Sequence, residues 1–207
     1  NIDGNALVVH ADTIVLRRLT LADCVPPTDD PAAIRVGGNG RVLGDDPDAI
    51  RVGGNARPIT EVTIEDVTLI RIGGNARGQD TVVGISIEGA QRTTISNSEI
   101  TAGVRVSSPE ASVTMDGVTV PEADGDGIAI EGAALEGAGA QKAAAVEVYI
   151  RRARISGAAR GVVVHGVLDV MLRIVESALA RNRGDGLSTV GARVEAANLE
   201  VYENQAD

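Results

Sequence analysis

Residues able to do chemistry are few and spread along the 207-residue chain: 29 Asp and Glu, 19 Lys and Arg, two His and one Cys. Several occupy matching places in short alternating blocks. These blocks are Gly84-Ile85-Ser86-Ile87-Glu88-Gly89, Gly103-Val104-Arg105-Val106-Ser107, Gly127-Ile128-Ala129-Ile130-Glu131-Gly132 and Gly161-Val162-Val163-Val164-His165-Gly166. Stacked as strands, they put Glu88, Ser107, Glu131 and His165 in one outward column. Arg35, Arg51, Ser86, Arg105, Ala129, Val163 and Ser188 fall in the next. Glu88 and Glu131 would then be two strand spacings apart, about 9–10 Å. That is the upper end of the separation at which one carboxyl acts as acid and another as base on a glycosidic bond. Arg105 between them would hold an acidic sugar. His165, which titrates near neutrality, would move protons. Glu88, Arg105, Glu131 and His165 are therefore the candidate catalytic set. The competing reading, a solvated strand face of mixed charge, requires no catalysis.

Glu122, Asp124 and Asp126 are spaced like hard oxygen ligands in a turn and form the candidate metal site, with Ca²⁺ as the ion. Asp-Gly-Asp is also ordinary turn chemistry, and no complete calcium loop is present. Asp29, Asp30, Asp45, Asp46 and Asp48 make a second acidic cluster. His10 and His165 occupy equivalent positions about six repeats apart, too far to share a metal. No phosphate loop, Ser-His-Asp order or Cys-His zinc spacing occurs, and no other cofactor is expected. The Gly-Gly-Asn triplets ending at Asn39, Asn55 and Asn75 read as turns.

The elements that must position these residues come from a repeat. The template apolar-x-apolar-x-x-apolar-x-apolar fits Ile14 to Leu21, Val62 to Leu69, Val113 to Val120, Val148 to Ile155 and Val194 to Val201. Two further copies carry polar substitutions at Thr93, Ser98 and Ser177. The alternation marks strands with one buried face, and the x-x interruption marks a bend. Three residues past the last apolar position stands Cys24, Ala123, Ala158, Asn182 or Asn204. Cys24 therefore reads as a buried thiol. The near-duplicates Asp29 to Asn39 and Asp45 to Asn55 are too closely spaced for a full three-strand unit, so the first reads as a truncated unit or a hairpin.

This pattern, from about Ala6 to Asn204, resembles the right-handed parallel β-helix, or pectate-lyase-like, superfamily. The resemblance implies an all-β fold: a right-handed single-stranded parallel β-helix of about seven to eight coils. The whole of residues 1–207 would be one β-helix domain, with 133–147 an Ala- and Gly-rich loop insertion. It also implies a polysaccharide lyase or glycoside hydrolase as one functional reading. Polygalacturonase-like hydrolases carry Asn-Thr-Asp, Asp-Asp, His-Gly and Arg-Ile-Lys. Of these the chain has His165-Gly166 and two Asp-Asp pairs, and it lacks the Arg-x-Pro-x-x-Arg of pectate lyases.

Composition narrows the choice. There is no Phe and no Trp, and Tyr149 and Tyr202 are the only tyrosines. Val, Ile, Leu and Ala must fill the core, which suits a thin repetitive interior. Two tyrosines are too few to line a sugar-stacking groove. The net charge of −10 disfavours nucleic acid. No apolar run is long enough for a membrane helix. The expectation is a non-enzymatic structural or surface-interaction β-helix, extracellular or on a bacterial cell surface. Self-association or continuation at the solenoid ends is expected, the chain being part of a longer solenoid or an axially stacking subunit. A polysaccharide is the partner if the catalytic reading holds.

Overall fold

The computed structural model describes residues 7–9, 13–22, 32–36, 48–52, 59–70, 83–107, 111–131 and 146–205. Among them the fold is all-β, with 18 strands and no helix. In chain order the first ten are β1 (Leu7–Val9), β2 (Thr13–Arg17), β3 (Thr20–Ala22), β4 (Ala32–Val36), β5 (Asp48–Val52), β6 (Ile59–Glu65), β7 (Thr68–Ile70), β8 (Val83–Glu88), β9 (Ala90–Ser96) and β10 (Glu99–Ile100). The rest are β11 (Val104–Ser107), β12 (Ser112–Asp116), β13 (Thr119–Val120), β14 (Ile128–Glu131), β15 (Val146–Arg151), β16 (Arg154–Ser156), β17 (Val162–Ala180) and β18 (Leu187–Tyr202). Cys24, His10, the Asp29 to Asp46 cluster, the Gly-Gly-Asn triplets and most of the 133–147 segment lie outside the described residues. The last two residues of that segment, Val146 and Glu147, already belong to β15.

The strands form one curled, all-parallel sheet, compatible with a parallel β-helix. Its pairings fall into three ladders. The first runs β1, β4, β5, β8, β11, β14 and the opening stretches of β17 and β18. The second runs β2, β6, β9, β12, β15 and the middle stretches of β17 and β18. The third runs β3, β7, β10, β13, β16 and the ends of β17 and β18. The chain visits the ladders in that order, except at β4. That strand lies between β1 and β5, while β2 pairs directly with β6 and β3 with β7. Because β4 is parallel to β5, the closely spaced near-duplicate is a truncated unit and not a hairpin.

The bend in the template has one physical cause. Its second x residue is Arg18, Asp66, Asn97, Gly117, Arg152, Glu176 or Asn198, and all seven have φ between 47° and 68°. One left-handed residue turns the corner and resets the alternation, so apolar side chains on both sides of it point inward. Val62, Ile64, Val67 and Leu69 show the result, each fully buried, as are Met115, Ile150 and Leu172. Burying such a side chain contributes about 1.5–3 kcal/mol. The core is one continuous cluster fed by all three ladders.

Buried polar groups supply the remaining bonds. Ser98 Oγ accepts from the Val67 amide at 3.2 Å, and Ser177 Oγ accepts from the Ala153 amide at 3.1 Å. Asn182 Oδ1 accepts from the Ala158 amide at 3.2 Å, and Asn204 Oδ1 accepts from the Asn182 amide at 2.9 Å. The Asn182 side chain also donates to Asn204 Oδ1 at 2.9 Å, extending a short asparagine ladder. A glycine column marks the corner entering the first ladder. Each of the amides of Val104, Ile128 and Val162 donates to the carbonyl of Gly127, Gly161 or Gly186 in the next row, at 2.9 Å. A Cβ on Gly161 would run into Gly186, so the rows approach closely only because side chains are missing there.

Candidate functional site

The first ladder aligns the candidate catalytic residues in the columns expected from the sequence. Ser107 stands opposite Glu88 on one side and Glu131 on the other, and Glu131 stands opposite His165. Arg105 stands opposite Ser86 and Ala129. Glu131 and His165 are exposed. The contact within the column is weak, with Ser107 Oγ donating to Glu131 Oε2 at 3.5 Å. Outward exposure fails farther along the neighbouring column, where Ala129 and Val163 are buried.

A cleft of about 370 Å³ brings the two predicted sets together in part. Arg105 and Glu131 line it from the first ladder, and Asp124 and Asp126 from the turn that precedes β14. His165 and Glu122 are not on its wall.

Arginines occupy the acidic side of this cleft. Arg160 Nε and Nη2 each donate to one oxygen of Asp126 at 2.8 Å. The Asp126 carboxylate beside it raises the Arg160 pKa above the usual guanidinium value. Arg183 Nη2 reaches across to the same turn, donating to the carbonyls of Ala123 at 2.8 Å and Asp124 at 2.7 Å. Among the described residues, no group of three or more His, Cys, Asp or Glu converges as a metal site. The positive charge in this turn is supplied by guanidinium groups.

Reading the sequence for catalysis missed Arg160 and Arg183. A signal for Arg160 was present: it precedes a corner glycine, as do Asp126 and Asp185 in the neighbouring rows. Gly127 and Gly161 donate to the carbonyls of Arg160 and Asp185 at 2.8 Å and 2.9 Å, which fixes the alignment Asp126, Arg160, Asp185. A second, larger trough of about 600 Å³ lies on the third ladder. Ala178 and Ala180 line it between Arg154 and Ser156 on one strand and Glu200 and Tyr202 on another. Tyr202 therefore does border a groove, and Tyr149 is not on its wall.

Comparison with protein-family models, curated proteins and solved structures returned no match.

Proposed function

We propose that the chain is a right-handed single-stranded parallel β-helix of seven full coils with one extra first-ladder strand, working as a non-enzymatic extracellular scaffold on a bacterial cell surface. The reading includes self-association or continuation at the ends of the rod. The observation that supports it most is where the charged side chains go. Arg17 with Glu65, Arg151 with Glu176, Arg152 with Asp116, Arg173 with Glu195 and Arg181 with Glu203 all tie one row of the sheet to another, at 2.6–3.0 Å. Even the cleft spends Asp126 on Arg160 in the same way. Exposed pairs are individually weak, but repeated along a rod they hold neighbouring rows in register.

The second reading is a polysaccharide lyase or glycoside hydrolase. What favours it is the shared cleft, where Arg105 lies with Glu131 and Asp124. One assay separates the two. Acidic and neutral polysaccharides are incubated with the protein and with Glu131→Gln, and new reducing ends and unsaturated products are measured. No turnover above buffer is expected. Turnover that disappears in Glu131→Gln overturns the scaffold reading.

A further inference from the structure

The trough of about 600 Å³ on the third ladder belongs to neither of the sites expected from the sequence. Its floor is Ala178 and Ala180, on the outward side of β17, which there has a partner strand on each side, β16 and β18. The walls are Arg154 and Ser156 on β16 and Glu200 and Tyr202 on β18, two strand spacings or about 10 Å apart. Ala180 points outward yet is only 7% exposed, because the taller rows overhang it. The hollow is therefore bounded on both sides by rows of this chain.

The polar groups around it are of two kinds. Flanking the floor, Arg181 is held by Glu203 at 2.7 Å and Glu176 by Arg151 at 3.0 Å. Ser156 Oγ donates to the Pro121 carbonyl at 3.2 Å, which leaves its lone pairs to accept. Arg154 and Glu200 face each other across Ala178. Among the described residues neither side chain has an ion pair or a hydrogen bond. Beside Glu200, Tyr202 is 46% exposed.

These walls select a ligand. One free guanidinium against one free carboxylate leaves no net charge, so an ion of either sign gains at one wall what it loses at the other. A guanidinium only donates and a carboxylate only accepts, so the pair suits a neutral molecule that does both. Tyr202 adds an apolar ring face with a polar tip. A pyranose, with an apolar face and vicinal hydroxyls at its rim, matches all three groups. An extended peptide does not, because the backbone of the floor strand is already spent on β16 and β18 and can pair with no further strand.

We infer that this trough is a non-catalytic binding subsite for a short neutral saccharide, with Tyr202 as the stacking platform and Arg154 and Glu200 holding hydroxyls. This rests on the scaffold reading, in which surface interaction is the function, and it names the chemistry of the partner. Of the two carboxylates lining the trough Glu176 is tied to Arg151, so no free acid–base pair stands over a glycosidic bond.

Calorimetric titration of the whole chain tests it. The probes are neutral di- to tetrasaccharides of glucose, galactose, mannose and N-acetylglucosamine, with acidic oligosaccharides run in parallel. At least one neutral saccharide is expected to bind saturably below about 10 mM. Tyr202→Ala is expected to weaken it about tenfold, and Tyr202→Phe to stay within about threefold of wild type. Arg154→Ala and Glu200→Ala each remove hydroxyl partners and are expected to cost about tenfold. Ala178→Leu fills the floor and is expected to cost at least about 30-fold. Tyr149→Phe is expected to bind as wild type does. It also leaves Tyr202 as the sole tyrosine, so saccharide must shift the tyrosine near-ultraviolet absorption of that variant. That optical signal places the ligand even if a trough variant proves unstable. No binding by about 10 mM, indifference to Tyr202→Ala or to Ala178→Leu, an unshifted Tyr149→Phe spectrum, or tighter binding of the acidic probes would each overturn the inference. New reducing ends from a bound saccharide would remove the scaffold reading and leave the trough. An inert protein that binds none of the probes would remove the trough alone.

Discussion

Single side chains show where this fold is satisfied and where it is not. Thr93 is 1% exposed and sits between Val62 and Val113 in the second ladder. Its Oγ1 has no hydrogen-bond partner among the described residues. Ser98 and Ser177, by contrast, each cap an amide of the preceding row. Thr93→Val keeps the shape and removes the unsatisfied hydroxyl. It should stabilise the protein by about 1 kcal/mol, raising the melting temperature by about 2–4 °C in calorimetry. A second residue carries a pH dependence. Hydrogen bonds from Arg152 hold the Asp116 carboxyl below its usual pKa. A depressed folded-state pKa gives stability that is fully present above the unfolded value of about 3.9 and is lost as pH falls through the folded value. Asp116→Asn should therefore be less stable than wild type at pH 6, with the difference shrinking below pH 4. Urea midpoints measured from pH 6 to pH 2 check this, and parallel curves would contradict it.

The elements divide into those legible from residue types and those set by backbone geometry. The strand blocks were legible, because Ile85, Ile87, Ile128 and Ile130 alternate with outward residues and are buried as that alternation requires. The columns of Glu88, Ser107, Glu131 and His165 were legible too, since glycines at equal offsets fix the register. The left-handed bend was placed correctly, but its conformation was hidden. Arg, Asp, Asn, Gly and Glu all occupy it, and only the stacking of rows forces them into one well. The arginine ties of the cleft were also hidden, because Arg183 and Ala123 are far apart in sequence and meet only through the stack. Glycines separate the two kinds of constraint. A Cβ on Gly89 would meet nothing within 4 Å, so Gly89→Ala should cost only the left-handed penalty, about 1 kcal/mol. At Gly161 the added methyl has no room against the next row, so Gly161→Ala should cost up to about 3 kcal/mol. Chemical denaturation of the two variants ranks them, and equal losses would remove the close-packed corner as the explanation.

At the scale of the whole molecule, the extra strand β4 is the one break in the three-ladder order among the described residues. Residues 32 and 48 stand opposite each other in β4 and β5, so the two strands are copies of one position in the stack. Deleting residues 32–47 should let β5 pair with β1 directly, leave far-ultraviolet circular dichroism native, and change the shape seen by small-angle X-ray scattering. A deletion variant that fails to fold would show that β4 does more than fill a row. In the language of crystals, β4 is an edge dislocation: a half-row that ends inside the lattice and makes the rows around it lean. The first ladder is longer than the other two by one strand spacing, about 4.8 Å. If the three ladders stack as the proposed β-helix, one longer side bows the stack, convex along the first ladder. The curvature of such a stack would thus be written in the 16 residues 32–47.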